Sequence, residues 1–211
     1  MRALSAGKLA QCCACASGAG EVACRPFFMI YSFTLKSVML LVGLLLIASH
    51  LFAMLQGGTV KGWLRNFPRH KPSGVILTLV LAAWFFWLVE VSDLGEFDKW
   101  RSLVQYLTPV SAILAILFMQ EFLAVRALGG LMLMAAEPLL ESAFMREEQL
   151  RLLLVVLTYV WLIAGMFWVG MPYTLRDQIS WVTSSEKRWR ATAFAGLAYG
   201  VLLCVGGLLS R

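Results

Sequence analysis

Long apolar runs broken by short polar stretches dominate the chain, and their lengths predict helices that cross a membrane. A hydrocarbon core about 30 Å thick takes about 20 residues of helix. The runs at 37–56, 74–92, 152–172 and 192–209 meet that length. Trp63, Trp100, Trp181 and Trp189 fall near predicted span ends, where interfacial aromatics belong.

The middle of the chain is less regular. Residues 104–125 form a further span with Pro109 near its start. Residues 127–143 are apolar but short and carry Glu137, Pro138 and Glu141, so they predict a sixth span, a re-entrant segment or an interfacial helix. Between 173 and 189, Leu175, Ile179 and Val182 fall at helical spacing in a polar context, which predicts a short helix in the headgroup region. The expected fold is therefore all-α: a polytopic helical membrane bundle of five or six transmembrane helices, one domain over 29–211.

Composition agrees with that pattern. The chain of 211 residues is 60% hydrophobic and 14% charged, against about 25% charged in soluble domains. Its net charge of +6 does not point to nucleic acid, because the basic residues sit in short blocks between apolar runs rather than along one water-exposed stripe.

Those blocks bear on topology. With six spans and the N-terminus outside, the cytoplasmic loops hold nine cations: Lys61, Arg65, Arg69, Lys71, Arg126, Arg176, Lys187, Arg188 and Arg190. The outside, from Lys36 onward, holds six: Lys36, Lys99, Arg101, Arg146, Arg151 and Arg211. Five spans nearly erase the difference, so the positive-inside rule favours six, with loops 57–73 and 173–191 cytoplasmic. The simplest location is a bacterial plasma (inner) membrane. The basic stretches 63–71 and 181–190 resemble each other, as cytoplasmic loops under this rule do, and no repeat is inferred. Arg65, Arg69, Lys71, Lys187, Arg188 and Arg190 are the expected lipid headgroup contacts.

Ionisable groups inside spans cost about 2.5–3.5 kcal/mol at a helix centre on insertion scales, so the few present are candidate site residues. These are His50, Glu90, Glu121, Arg126, Glu137 and Glu141. Arg126, Gly130, Leu133 and Glu137 project to one helix face, with Glu141 close behind. Gly129 and Gly130 form a notch that admits a neighbouring helix, and Pro138 bends the helix or begins a new one. This face could line a polar cavity or simply pair with carboxylates of other spans. His50 lacks a placed second axial ligand for haem, so it is expected to be a hydrogen-bonded structural residue. No cofactor and no metal are expected, and no zinc-protease, serine-hydrolase, P-loop or dinucleotide motif is present.

Function is therefore expected to be that of a non-enzymatic subunit or accessory factor of a membrane complex. Its expected partners are the bilayer and other membrane subunits or a second copy. A small ion-coupled carrier working through Arg126 and Glu137 is the alternative, and an intramembrane lipid-modifying enzyme a second one. Four cysteines cluster at 12–24, but they lack a fourth metal ligand and the apolar core a lipoprotein signal needs. Residues 1–28 also add Arg2, Lys8 and Arg25 to the outside. They are expected to be a disordered extension, with Met29 as an alternative start.

Overall fold

The computed structural model describes residues 31, 33–92, 99–119, 121–144 and 149–209, apart from the side chain of Arg69. The expected extension over 1–28 lies outside them. The described residues form eight helices: α1 (Leu35–Leu55), α2 (Gly57–Asn66), α3 (Lys71–Val91), α4 (Arg101–Phe118), α5 (Leu123–Ala143), α6 (Arg151–Gly170), α7 (Tyr173–Thr183) and α8 (Glu186–Leu209). Six are long and apolar enough to cross a membrane: α1, α3, α4, α5, α6 and α8. The protein is an all-α membrane bundle.

The starts of α1 and α3 have local causes. Thr34 caps α1 by accepting from the Ser37 backbone N–H. At α3, His70 accepts from the Ser73 N–H through Nδ1, and Pro72 lies in the first turn, where its missing N–H costs nothing.

The third and fourth spans differ from expectation. α4 ends at Phe118 rather than near 125, and the chain reverses before Phe122, whose φ of 59° is left-handed. That conformation strains a non-glycine residue by about 1–2 kcal/mol. It is held because Phe122 packs against the small core of Val125, Leu175 and Ile179. The early reversal places Glu121 in the turn instead of inside a span, avoiding the cost of a membrane-embedded carboxylate. It also hands Leu123–Arg126 to α5. α5 is therefore neither short nor re-entrant: its 21 residues run unbroken through Pro138 and span about 30 Å at 1.5 Å per residue.

α5 is the centre of the bundle. It packs on α3 and α6 and touches α1, and 39% of its apolar window is buried inside the protein, against 11–28% for the other spans. Its modest hydropathy follows, since much of its surface meets protein rather than lipid. Beyond α3 lies α4; beyond α6 lies α8, which packs along α1. One core, with Met39, Leu139, Leu154 and Leu203, joins α1, α5, α6 and α8. The second lies at the other end, beneath α2 and α7.

Glycines set the closest approaches. An added Cβ on Gly129 would meet the Gly165 carbonyl at 2.8 Å, and one on Gly165 would meet the Gly129 carbonyl at 3.0 Å, so α5 and α6 touch backbone to backbone. Gly130 instead takes Leu81 of α3. Tertiary packing therefore accounts for both glycines of the predicted notch.

The short helices decide the span parity. α2 follows the first span and α7 follows the fifth, and the two pack together at one end of the bundle. Helices after the first and fifth of six crossings must emerge on the same side. Were α5 not a crossing, they would emerge on opposite sides and could not touch.

Candidate functional site

Among the described residues, three concavities lie at the α2–α7 end. Their frame is a clasp between the two short helices. Arg65 of α2 donates from Nε to Thr183 Oγ1 at 3.1 Å and from a terminal nitrogen to the Thr183 carbonyl at 3.2 Å. Lys61 pairs with Glu186 at the start of α8 and lies 5.1 Å from the centroid of the Trp189 ring. Trp189 in turn donates its indole N–H to the Ala53 carbonyl at 3.3 Å. These contacts tie α1, α2, α7 and α8 together. Leu175 and Ile179 of α7 are buried beneath them, as the helical spacing of the loop predicts. α2 follows similar logic: Val60, Trp63, Leu64 and Phe67 fall at helical spacing, a signal the basic character of the loop obscures.

The first concavity, about 270 Å³, is lined by Ser49, His50, Val60, Leu64, Trp189 and Thr192. His50 Nδ1 lies 2.8 Å from the Leu46 carbonyl. A carbonyl only accepts, so Nδ1 donates here, and the other ring nitrogen is Nε2. That nitrogen is pressed against Gly196, where an added Cβ would lie 2.1 Å away. The ring therefore acts as a packing group on α8 over Gly196.

The second, about 590 Å³, is almost wholly apolar and lies under the clasp. Trp63, Leu77, Leu128, Trp168, Leu175 and Ile179 form most of its wall. The third, about 470 Å³, sits at the α4–α5 turn between Phe118, Met119, Glu121 and Arg126. Here Arg126 donates to Met119 Sδ at 3.6 Å, while its buried Nε finds no acceptor among the described residues.

The polar face expected on α5 does not converge to one place. Arg126 lies in its first turn, and Glu137 is exposed farther along. Eleven residues separate them, or about 16 Å along the axis at 1.5 Å per residue. Glu141 lies near the other end and accepts from the Tyr31 N–H at 3.2 Å. Glu90, at the end of α3, accepts from the Gln105 amide at 2.9 Å. Of the basic residues expected at headgroups, Arg188 stacks on Trp181, Arg190 lies 3.9 Å from Glu186, and Lys187 is exposed. Lys71 opens α3, and the side chain of Arg69 lies outside the described residues.

No family model matches the chain, and neither does any curated protein or solved structure. Among the described residues, no three His, Cys, Asp or Glu side chains stand close enough to hold a metal. The chemistry of the α2–α7 end is thus that of an apolar chamber and a small histidine pocket, beside a turn that presents an arginine.

Proposed function

We propose that this protein is a non-enzymatic subunit or accessory factor of a membrane complex, and that α4 is its docking span. A single contrast carries the reading. α4 has the lowest mean hydropathy of the six spans, 1.4, yet only 11% of its apolar window is buried. α5 has nearly the same hydropathy, 1.5, but 39% of its window is buried. A span facing only lipid gains from high hydropathy, whereas one facing protein can carry polar groups that its neighbours satisfy.

α4 packs chiefly on α3, and its uncovered side carries Ser102, Tyr106 and Ser111. Pro109 leaves the Gln105 carbonyl without its usual helical donor. A partner helix would find both packing surface and hydrogen-bonding groups there.

In this reading the protein resides in a plasma (inner) membrane with the α2–α7 end toward the cytoplasm, which the basic residues of 57–73 and 173–191 support. The carrier alternative draws less support, because it needs Arg126 and Glu137 to act together across about 16 Å of helix.

A photo-reactive residue at Tyr106 or Ile113 tests the proposal in native membranes. It should capture a defined protein partner, while the same residue at exposed Phe194 of α8 should capture lipid. Lipid adducts alone from every position would defeat it.

A further inference from the structure

We propose that the apolar cleft beneath the α2–α7 clasp binds an acyl chain of an anionic glycerophospholipid, whose phosphate meets the basic α2 segment. The volume, about 590 Å³, is typical of ligand pockets, which span about 300–1,000 Å³. Its wall is built from Trp63, Phe67, Leu77, Leu128, Trp168 and Ile179, with Ser73 as a polar member. The Ser73 hydroxyl is already engaged, donating to the His70 carbonyl at 2.7 Å. Nothing in that wall rewards a polar occupant.

The shape of the wall selects among apolar ones. Water finds no hydrogen-bonding partners along such a wall. An extended peptide would bring backbone N–H and C=O groups that the wall cannot satisfy. A helix about 10–12 Å across would fit little more than one turn. An acyl chain has no polar group to satisfy and is thin enough to thread between side chains.

Position supplies that chain. The cleft opens where α3, α5 and α6 reach the α2–α7 end of the bundle, the level at which one bilayer leaflet turns from tails to headgroups. Charge supplies the headgroup preference. Residues 57–73 contain no Asp or Glu, and beside Lys61, which pairs with Glu186, they hold Arg65, whose charge stays unneutralised in its bonds to Thr183, as well as Arg69 and Lys71. Basic segments at a membrane surface attract anionic lipid. Trp63, 62% exposed at the mouth, is the amphipathic residue suited to the boundary between tail and headgroup. The described part of α4 contributes no wall to this cleft, so the site stands or falls separately from the docking span.

The test reconstitutes the full chain into phosphatidylcholine vesicles containing a minor fraction of phosphatidylglycerol. The protein is then extracted in mild detergent and weighed by native mass spectrometry. It should retain phosphatidylglycerol in preference to the more abundant phosphatidylcholine. Leu77→Trp, which fills the cleft, should remove the retained lipid, and Phe194→Trp on the exposed side of α8 should leave it. Equal retention of the two lipids, retention of neither, or retention unchanged by Leu77→Trp overturns the proposal. A dimer mass dispersed by Leu77→Trp would seat a second copy in the cleft and overturn it equally.

A measurement on the unaltered cleft covers the case in which Leu77→Trp does not fold. Phosphatidylglycerol with brominated acyl chains should quench tryptophan emission more than brominated phosphatidylcholine at the same mole fraction. The double variant Trp63→Phe, Trp168→Phe should lose that difference. Equal quenching of the unaltered protein by the two lipids would again overturn it.

Discussion

Gly43 of α1 and Gly200 of α8 lie face to face. A Cβ on Gly43 would stand 2.9 Å from the Gly200 carbonyl, and one on Gly200 would stand 3.0 Å from the Gly43 carbonyl. The obstructing atoms are backbone, and neither helix can move aside without separating from the other. Cys204 adds its sulfur 2.7 Å from the Gly43 position. Alanine at either site should therefore destabilise the fold by about 1–3 kcal/mol through overpacking. That outweighs the gain of about 1 kcal/mol that alanine brings to a helix interior. Denaturant unfolding in mixed micelles would measure it, and a more stable Gly200→Ala would refute the packing argument.

Gly62 of α2 gives the opposite expectation. Nothing stands within 4 Å of its added Cβ, so Gly62→Ala should stabilise the protein by about 0.5–1 kcal/mol through helix propensity alone. Amide exchange across α2 should slow accordingly.

His50 and Gly196 should be coupled. Gly196→Ala must displace the imidazole that occupies the space of its methyl group, whereas His50→Ala vacates it. The two substitutions together should cost less than their sum by about 0.5–3 kcal/mol, the usual range for residues in contact. Strict additivity in a double-mutant cycle would show that the ring has somewhere else to go.

The two contacts of the clasp should differ in weight. Glu186 is well exposed, at 61% of its side chain, and water and salt screen ion pairs of that kind so that they add little to stability. Glu186→Gln should thus have a small, salt-dependent effect. Arg65 donates two hydrogen bonds to one residue, and Arg65→Ala should loosen α2 from α7 by about 1.5–3 kcal/mol, the range for bonds to charged groups. Limited proteolysis of the loops flanking α7 reads both variants on one scale.

Span parity makes a labelling prediction. Cysteines placed at Gly58 and Ser184 should react with a membrane-impermeant maleimide from the same side, and one at Gln149 from the opposite side. All three positions are exposed. Reaction of Gly58→Cys and Ser184→Cys from opposite sides would mean that α5 does not cross.

The four most apolar runs were legible as spans because a bilayer demands little besides length and hydropathy. What the pattern could not place were ends set by polar residues. α8 begins at Glu186 rather than 192, since Glu186–Arg190 continue the helix while lowering its hydropathy. The α4–α5 reversal depends on Phe122 adopting a left-handed conformation, for which a phenylalanine gives no local signal.

The shared face of α5 was legible in the sequence, but its axial spread was not. A helical wheel discards the axial coordinate, so Arg126 and Glu137 share a direction without sharing a place. The glycine notch at Gly129 and Gly130 was visible as a motif, but its partners on α6 and α3 were not. The contacts at Gly43, Gly196 and Gly200 passed unnoticed, although small residues four apart are the usual mark of closely packed membrane helices. Such contacts join segments at opposite ends of the sequence, and no local window includes both.

That last separation has a consequence for biosynthesis. α1 leaves the ribosome well before α8, the helix that covers its glycine surface. During elongation α1 must wait in the membrane with Gly43 facing lipid or an assembly factor, and the bundle closes only when α8 is released. A chain cut short before Gly200 would hold every other span and still leave its first one without its main helical neighbour. Membrane quality control should recognise that defect in truncated chains, however well their remaining helices insert.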